Sequence, residues 1–141
     1  MTTVDDGELI RLLLQTASVL SGRVTGTLQD LSLTAPAAAA LWTLPGDGSG
    51  LPLKELSVRL GCDRSNATLL SERLEAAGLA ERAVHPSDKR VRVLALSEAG
   101  QRAREELMST IAAQSGIGQI TPAERQALGE ILTRLNSAAQ D

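Results

Sequence analysis

The chain has 141 residues, 43% of them hydrophobic, and a net charge of −3. That is enough for one compact domain with helical extensions, and too apolar for a disordered chain. Trp42 is the single aromatic residue, with no Phe and no Tyr, so Leu, Val, Ile and Ala must fill any core. No run approaches the roughly eighteen apolar residues of a membrane span. The acidic start Met1-Thr2-Thr3-Val4-Asp5-Asp6 is unlike the basic opening of a signal peptide. With Cys62 as the lone cysteine, an intramolecular disulfide framework is excluded and a cytoplasmic setting is expected, without membrane attachment.

The net negative charge is unevenly spread. Residues 51–96 hold eight basic and six acidic side chains, whereas residues 1–50 hold two basic and five acidic, and residues 97–141 four and six. A basic island lies between acidic flanks, and attraction to phosphates depends on such local charge.

A first long helix is expected from about Asp6 to Asp30. Leu9, Leu13, Thr16, Leu20, Val24 and Leu28 recur three and four apart and share one face. Leu12, Leu14, Ala17 and Val19 widen that face beyond what one neighbour covers. Thr34 caps a second helix with Pro36 in its first turn; the helix runs through Leu44 and stops at Pro45. Gly46-Asp47-Gly48-Ser49-Gly50 reads as a flexible turn, and it lacks the Lys-Ser/Thr and preceding strand of a phosphate loop.

A short helix over Leu53–Leu60 ends at Gly61, and Asp63 caps another that reaches about Ala77, with Gly78 as its stop. Two helices joined by a tight Gly-containing turn form a helix-turn-helix. In the second, Ala67, Leu70, Leu74 and Ala77 are expected to be buried. Arg64, Ser65, Thr68, Leu69, Glu72 and Arg73 are left on the surface, with Asn66 near its edge. Leu79–Val84 and Val91–Leu96 then read as strands with alternating apolar residues around the polar turn His85-Pro86-Ser87-Asp88-Lys89-Arg90, which makes a wing. Ser97 caps a helix from Glu98 to about Ala113 bearing Ala103, Leu107 and Ile111. After a break at Ser115-Gly116-Ile117-Gly118, Thr121-Pro122-Ala123-Glu124 is a capping box that opens a last helix with Leu128, Ile131, Leu132 and Leu135.

Three segments in register, Arg73 to Arg82, Asp88-Lys89-Arg90 and Leu96-Ser97-Glu98-Ala99-Gly100, resemble the MarR (multiple antibiotic resistance regulator) family. They match its recognition-helix end, its wing Asp-x-Arg and its Leu-Thr-x-x-Gly helix opening. The resemblance implies a mainly α fold with a small β-hairpin wing: an N-terminal dimerisation helix over 1–33, a winged helix-turn-helix lobe over 34–96 and C-terminal dimerisation helices over 97–141. It implies an obligate homodimer, and the wide apolar faces of the first and last helices point the same way independently. A self-contained core that uses all those residues is the competing arrangement.

Such a dimer would set two recognition helices in successive major grooves of double-stranded DNA, about ten base pairs apart on a pseudo-palindromic operator. Ser65 and Thr68, joined by Asn66, are expected at base edges or phosphates, and Arg64 and Arg73 at phosphates. Leu69 departs from the family, which often carries a basic or polar residue there; apolar contact with a thymine methyl would account for it, and packing under the wing is the alternative. In the wing, Arg90 is expected in a narrow minor groove, Asp88 to brace that Arg and hold the turn, and Lys89 to attract phosphate.

Family members commonly respond to a small organic ligand between the dimerisation helices and the DNA-binding lobe. A core place is the favoured reading of Trp42, and a pocket lined by Trp42, Ala38, Leu41 and aliphatic residues of the first helix is the expectation if a ligand binds. Cys62 is expected to be a small buried residue, and Cys62 with His85 is too sparse for a zinc site. The expectation is therefore no metal, no cofactor and no catalytic residues, since the acidic side chains sit at salt-bridging helical spacings and no nucleophile–base pair is evident. The function expected is that of a sequence-specific regulator, a repressor released by a ligand. The alternative is a winged-helix protein-interaction module without specific DNA binding.

Overall fold

The computed structural model describes residues 3–139, so Met1, Thr2, Gln140 and Asp141, which the expected segments 1–33 and 97–141 include, lie outside the described residues. Helix α1 spans Asp6–Asp30 and α2 spans Ala35–Thr43. Strand β1 (Leu51–Pro52) leads directly into α3 (Leu53–Leu60), and α4 follows over Arg64–Ala76. Strands β2 (Ala80–Val84) and β3 (Arg92–Leu96) form the hairpin, and α5 (Glu98–Ser115) and α6 (Pro122–Ala138) complete the chain, with one 3-10 turn at Ile117–Gln119 between them. The mainly α, winged helix-turn-helix architecture expected from the sequence is the one observed.

The helix ends follow their capping residues. Asp5, Thr34, Asp63, Ser97 and Thr121 each accept a hydrogen bond from a backbone amide in the first turn of the helix they open. Such contacts satisfy amides that have no partner within the helix. At the helix-turn-helix corner Gly61 takes φ +65°, which lets the Cys62 amide reach the Ser57 carbonyl at 3.1 Å and turns the chain sharply into α4.

The lobe core is aliphatic. Leu41 and Leu44 of α2 and its end, Leu56 of α3, Leu70 and Leu74 of α4, and Leu94 and Leu96 of β3 bury one another around Ala40, Leu51 and Ala80. A second cluster, Leu28 of α1, Ala38 of α2 and Leu107 and Ile111 of α5, joins the end of the first helix to the lobe.

Three local expectations are corrected. Ala77 is exposed because α4 ends one residue before it, and Ser71 takes the fourth buried place beside Ala67, Leu70 and Leu74. Its hydroxyl donates to the Ala67 carbonyl at 2.7 Å, so the buried polar group is satisfied. The sheet has a third strand, in the order β1-β3-β2, with Leu51 opposite Leu94 and Pro52 opposite Val93. Two residues carry no periodicity to read, and the edge position tolerates proline. Because β3 is central, Val93, Leu94, Ala95 and Leu96 are all buried and the expected alternation is lost. The turn at 46–50 supplies the cover: Gly50, at φ +82°, lies where a Cβ would strike the Leu94 carbonyl and the side chains of Val93 and Ala95. Gly50 thus packs against the sheet, while Gly46, Asp47 and Ser49 stay exposed.

The Leu96-Ser97-Glu98-Ala99-Gly100 segment is an anchor between wing and helices. The Ser97 hydroxyl donates to the Gly78 carbonyl at 2.6 Å and accepts from the Gly100 amide at 3.0 Å, while the Ser97 amide donates to the Leu79 carbonyl at 3.1 Å. Gly100 sits so close to the Leu79 carbonyl that any Cβ there would overlap it. The motif thereby fixes the start of α5 against the end of the helix-turn-helix.

The terminal helices contrast with this lobe. Helix α6 has no buried residue, and on α1 only Thr27 and Leu28, near its end, are buried. Leu9, Ile10, Leu12, Leu13, Leu14 and Val19 on α1, and Leu128, Ile131, Leu132 and Leu135 on α6, are all exposed. No helix among the described residues is long and apolar enough to cross a membrane.

Candidate nucleic-acid interface

Helix α4 buries one face in the core and turns the rest outward. At 3.6 residues per turn, Asn66, Leu69 and Arg73 fall three and four apart and share the flank toward α2. Arg64 and Thr68 share the opposite flank, and Ser65 and Glu72 lie farthest from the core. The surface expected from sequence is therefore two flanks around an outer ridge.

Arg64, Ser65, Asn66, Leu69 and Arg73 are exposed, and Thr68 is half-buried. The Thr68 hydroxyl donates to the Arg64 carbonyl at 2.9 Å, leaving it chiefly an acceptor. The Asn66 amide nitrogen of the backbone is held by Asp63 at 2.8 Å, which orients the first turn while its side chain stays unengaged. Leu69 is 46% exposed. It borders a cleft with α2 and the α3–α4 turn.

In the wing, Asp88, Lys89 and Arg90 are all exposed at the tip. Asp88 accepts from the Arg90 backbone amide at 3.0 Å, and its own carbonyl accepts from the Val91 amide at 3.1 Å. It thus holds the turn, but it braces the backbone of Arg90 and makes no ion pair with the guanidinium. His85 closes the other side, its Nδ1 accepting from the Ser87 amide at 3.1 Å.

The ion pairs among the described residues are Arg11–Glu8, Arg59–Glu55 and Arg82–Glu75. The third ties β2 to α4 and occupies Arg82. Arg64, Arg73, Lys89 and Arg90 make none, so both the helix flanks and the wing tip present uncompensated positive charge.

The expected ligand pocket is not assembled within the chain. Leu41 is fully buried in the lobe core, Ala38 packs with Leu28, Leu107 and Ile111, and Trp42 points outward at 41% exposure. Trp42 is therefore neither core nor the wall of a cavity shared with Ala38 and Leu41. Successive residues of one helix face different sides, and Leu side chains fill the inner side. Its carbonyl lies 3.5 Å from the Arg104 guanidinium, which donates to it. Cys62 is half-buried, because it lines the cleft beside Leu69 instead of entering the core. No group of three or more His, Cys, Asp or Glu residues able to hold a metal occurs among the described residues.

Sequence reading missed this cleft, formed by the first turn of α2 and the outer flank of α4. The small residues Ala35, Pro36 and Ala39 opposite the Asn66, Leu69, Arg73 spacing were the available signal.

A helix-turn-helix carrying a hairpin wing, with free cations on both, defines a winged helix-turn-helix domain. Residues 33–91 match the model of the MarR family. CouR from Rhodococcus jostii, solved with p-coumaroyl-CoA, is similar in fold, with a TM-score of 0.75 and 23% identity over 96% of this chain and 95% of that one. PcaV from Streptomyces coelicolor, a transcriptional regulator solved with its natural ligand, has a TM-score of 0.60 and 26% identity over 99% of both chains. A variant of MepR from S. aureus, solved with an oligodeoxyribonucleotide, has a TM-score of 0.63 and 20% identity over 93% of this chain and 97% of that one. No curated protein matches the chain.

Proposed function

We propose that the protein is a cytoplasmic, homodimeric transcriptional regulator that binds a pseudo-palindromic operator in duplex DNA and represses until a small organic ligand releases it. The observation that carries this reading is the coincidence of cations without ion pairs on the α4 flanks and the wing tip with exposed apolar faces on the N-terminal part of α1 and on α6. Residues 3–33 and 97–139 would form the dimer and residues 34–96 the reading lobe.

Ser65, Asn66 and Thr68 would meet base edges or phosphates in the major groove, Arg64 and Arg73 phosphates, and Leu69 a thymine methyl. Arg90 would enter the minor groove, with Lys89 on the backbone and Asp88 shaping the turn. Each cation that displaces a condensed counterion steepens the salt dependence. The affinity for a selected duplex should thus fall steeply and linearly on a logarithmic salt scale. Salt-independent association, or none, would favour a protein-interaction module. Substituting uracil for thymine should weaken the native protein at one position per half-site and leave a Leu69→Ala variant unaffected; equal losses in both would remove Leu69 from the reading surface.

A further inference from the structure

Strand register sets one face of the hairpin against the helix-turn-helix. Ala80 lies opposite Leu96, Arg82 opposite Leu94 and Val84 opposite Arg92, and these pairs, two residues apart along each strand, share a face. Ala80, Leu94 and Leu96 on that face belong to the lobe core. Farther out, where the core ends, the same face carries Arg82, Val84 and Arg92, all exposed. Arg82 and Arg92 border a notch beside Leu53 at the start of α3. Its volume of about 40 Å³ is far below the roughly 300 Å³ of a small organic-ligand site, so the two guanidiniums do not line a pocket for one. Arg82 is neutralised, its Nε donating to Glu75 at 2.7 Å. Arg92 makes no ion pair among the described residues, and Asp88 is engaged with the Arg90 backbone amide.

We propose that Arg92 is a further DNA-contacting residue, which holds a backbone phosphate on the wall of the groove that Arg90 enters, and that Glu75 withholds Arg82 from the same task. The inference rests on the minor-groove role proposed above for Arg90. Two residues of extended chain span at most about 7 Å, close to the roughly 6 Å width of a B-form minor groove. With Arg90 in the groove, Arg92 is therefore level with the phosphates along its edge, on the hairpin face turned toward the helix-turn-helix. Phosphate contacts fix register and carry no sequence information, so Arg92 adds affinity where Arg90 reads groove shape. The Arg82–Glu75 pair is neutral overall and releases no condensed counterion from DNA. Arg92 falls outside the Asp88-Lys89-Arg90 motif, so this contact belongs to the chain and not to the motif.

The test is the salt dependence of binding to a duplex selected from a random pool, read by fluorescence anisotropy for the native protein and its variants. Each lost phosphate contact lowers the slope of log Kobs against log salt by roughly 0.9. Arg92→Gln, changed in both protomers, should therefore be shallower by about two units, with circular dichroism matching the native protein. The loss should be equal on the selected duplex and on one with altered half-sites, since phosphates are common to both. Arg92→Lys keeps the charge and should keep the slope. Glu75→Gln unmasks Arg82 and should steepen the slope by up to about two units, and adding Arg82→Gln should return it to the native value. An unchanged slope in Arg92→Gln, or a shallow one in Arg92→Lys, would overturn the phosphate contact. A loss confined to the selected duplex would overturn it too, by making Arg92 a reader of sequence. No steepening in Glu75→Gln would overturn the masking of Arg82. Binding by the native protein that is absent or independent of salt would instead overturn the DNA reading on which the inference rests.

Discussion

The winged-helix lobe and the terminal helices are built from the same aliphatic residues and end in opposite conditions. In the lobe, Leu41, Leu44, Leu56, Leu74 and Leu94 are buried to within 1% of completely, each facing a partner from another element. On α6, Leu128, Ile131, Leu132 and Leu135 form a comparable stripe with nothing against it. A helix of this length gains little from propensity alone and depends on packing its apolar face. The difference teaches that apolar periodicity fixes a helix and its face, while the availability of a second surface decides whether that face becomes core or interface. For the N-terminal part of α1 and for α6 the chain supplies no such surface among the described residues, which is the physical ground for proposing a second copy.

The sharpest way to break this comparison is a charge in the stripe. Leu132→Asp should cost about 5 kcal/mol per dimer, since symmetry repeats the loss at both copies. Sedimentation equilibrium should show monomers, with the lobe's hairpin signals retained by NMR. Unchanged association would mean that α6 packs elsewhere. The converse change strikes the lobe. Gly100→Ala forces a Cβ into the Leu79 carbonyl and should cost about 3 kcal/mol, as overpacking against unyielding backbone does. Urea unfolding would measure it, and a neutral result would show that α5 can shift away from the wing.

Two smaller effects separate reading from folding. Arg90→Ala should weaken specific duplex binding by about 2 kcal/mol without altering the unfolding midpoint, because its guanidinium makes no ion pair in the fold. A titration at fixed salt that shows full affinity would remove the wing tip from the interface. The smallest effect concerns the start of α6. Hydrogen bonds from the Thr121 backbone amide, and then from its side chain, hold the Glu124 carboxyl below the ordinary glutamate value. A carboxyl depressed by folding stabilises the fold above its unfolded value and loses that contribution as pH falls through the folded one. The protection of the amides over residues 121–125, taken relative to their intrinsic exchange at each pH, should therefore fall in acid. Glu124→Gln, whose neutral side chain can still serve the capping box, should show no such pH step.

Much of this division was legible in the sequence because it rests on local chemistry. Asp63 and Gly61 mark the helix-turn-helix corner, Thr121 and Glu124 the start of α6, and the leucine spacing of α1 its face; each acts within a few residues of itself. What escaped depended on neighbours distant in the chain. The burial of both faces of β3 needed β1 and the Gly50 turn, neither of which has a periodicity. The aromatic character of Trp42 suggests a core place, but Leu41 and Leu44 already fill that side of α2. For the site, the exposed cations of α4 and the wing followed from their places in the motif. The bracing of Arg90 did not, because a carboxylate two residues away can reach the backbone amide more easily than the guanidinium. The cleft left only a weak signal, the small residues Ala35, Pro36 and Ala39, because its walls come from two helices brought together by the fold.

The most direct test of the account is selection of bound duplexes from a random pool by the native protein, followed by footprinting of the selected site. The expected result is an inverted repeat with half-sites about ten base pairs apart, protected by one dimer, with a thymine facing Leu69 in each half. Enrichment of a single unrepeated half-site, or no enrichment at all, would contradict it.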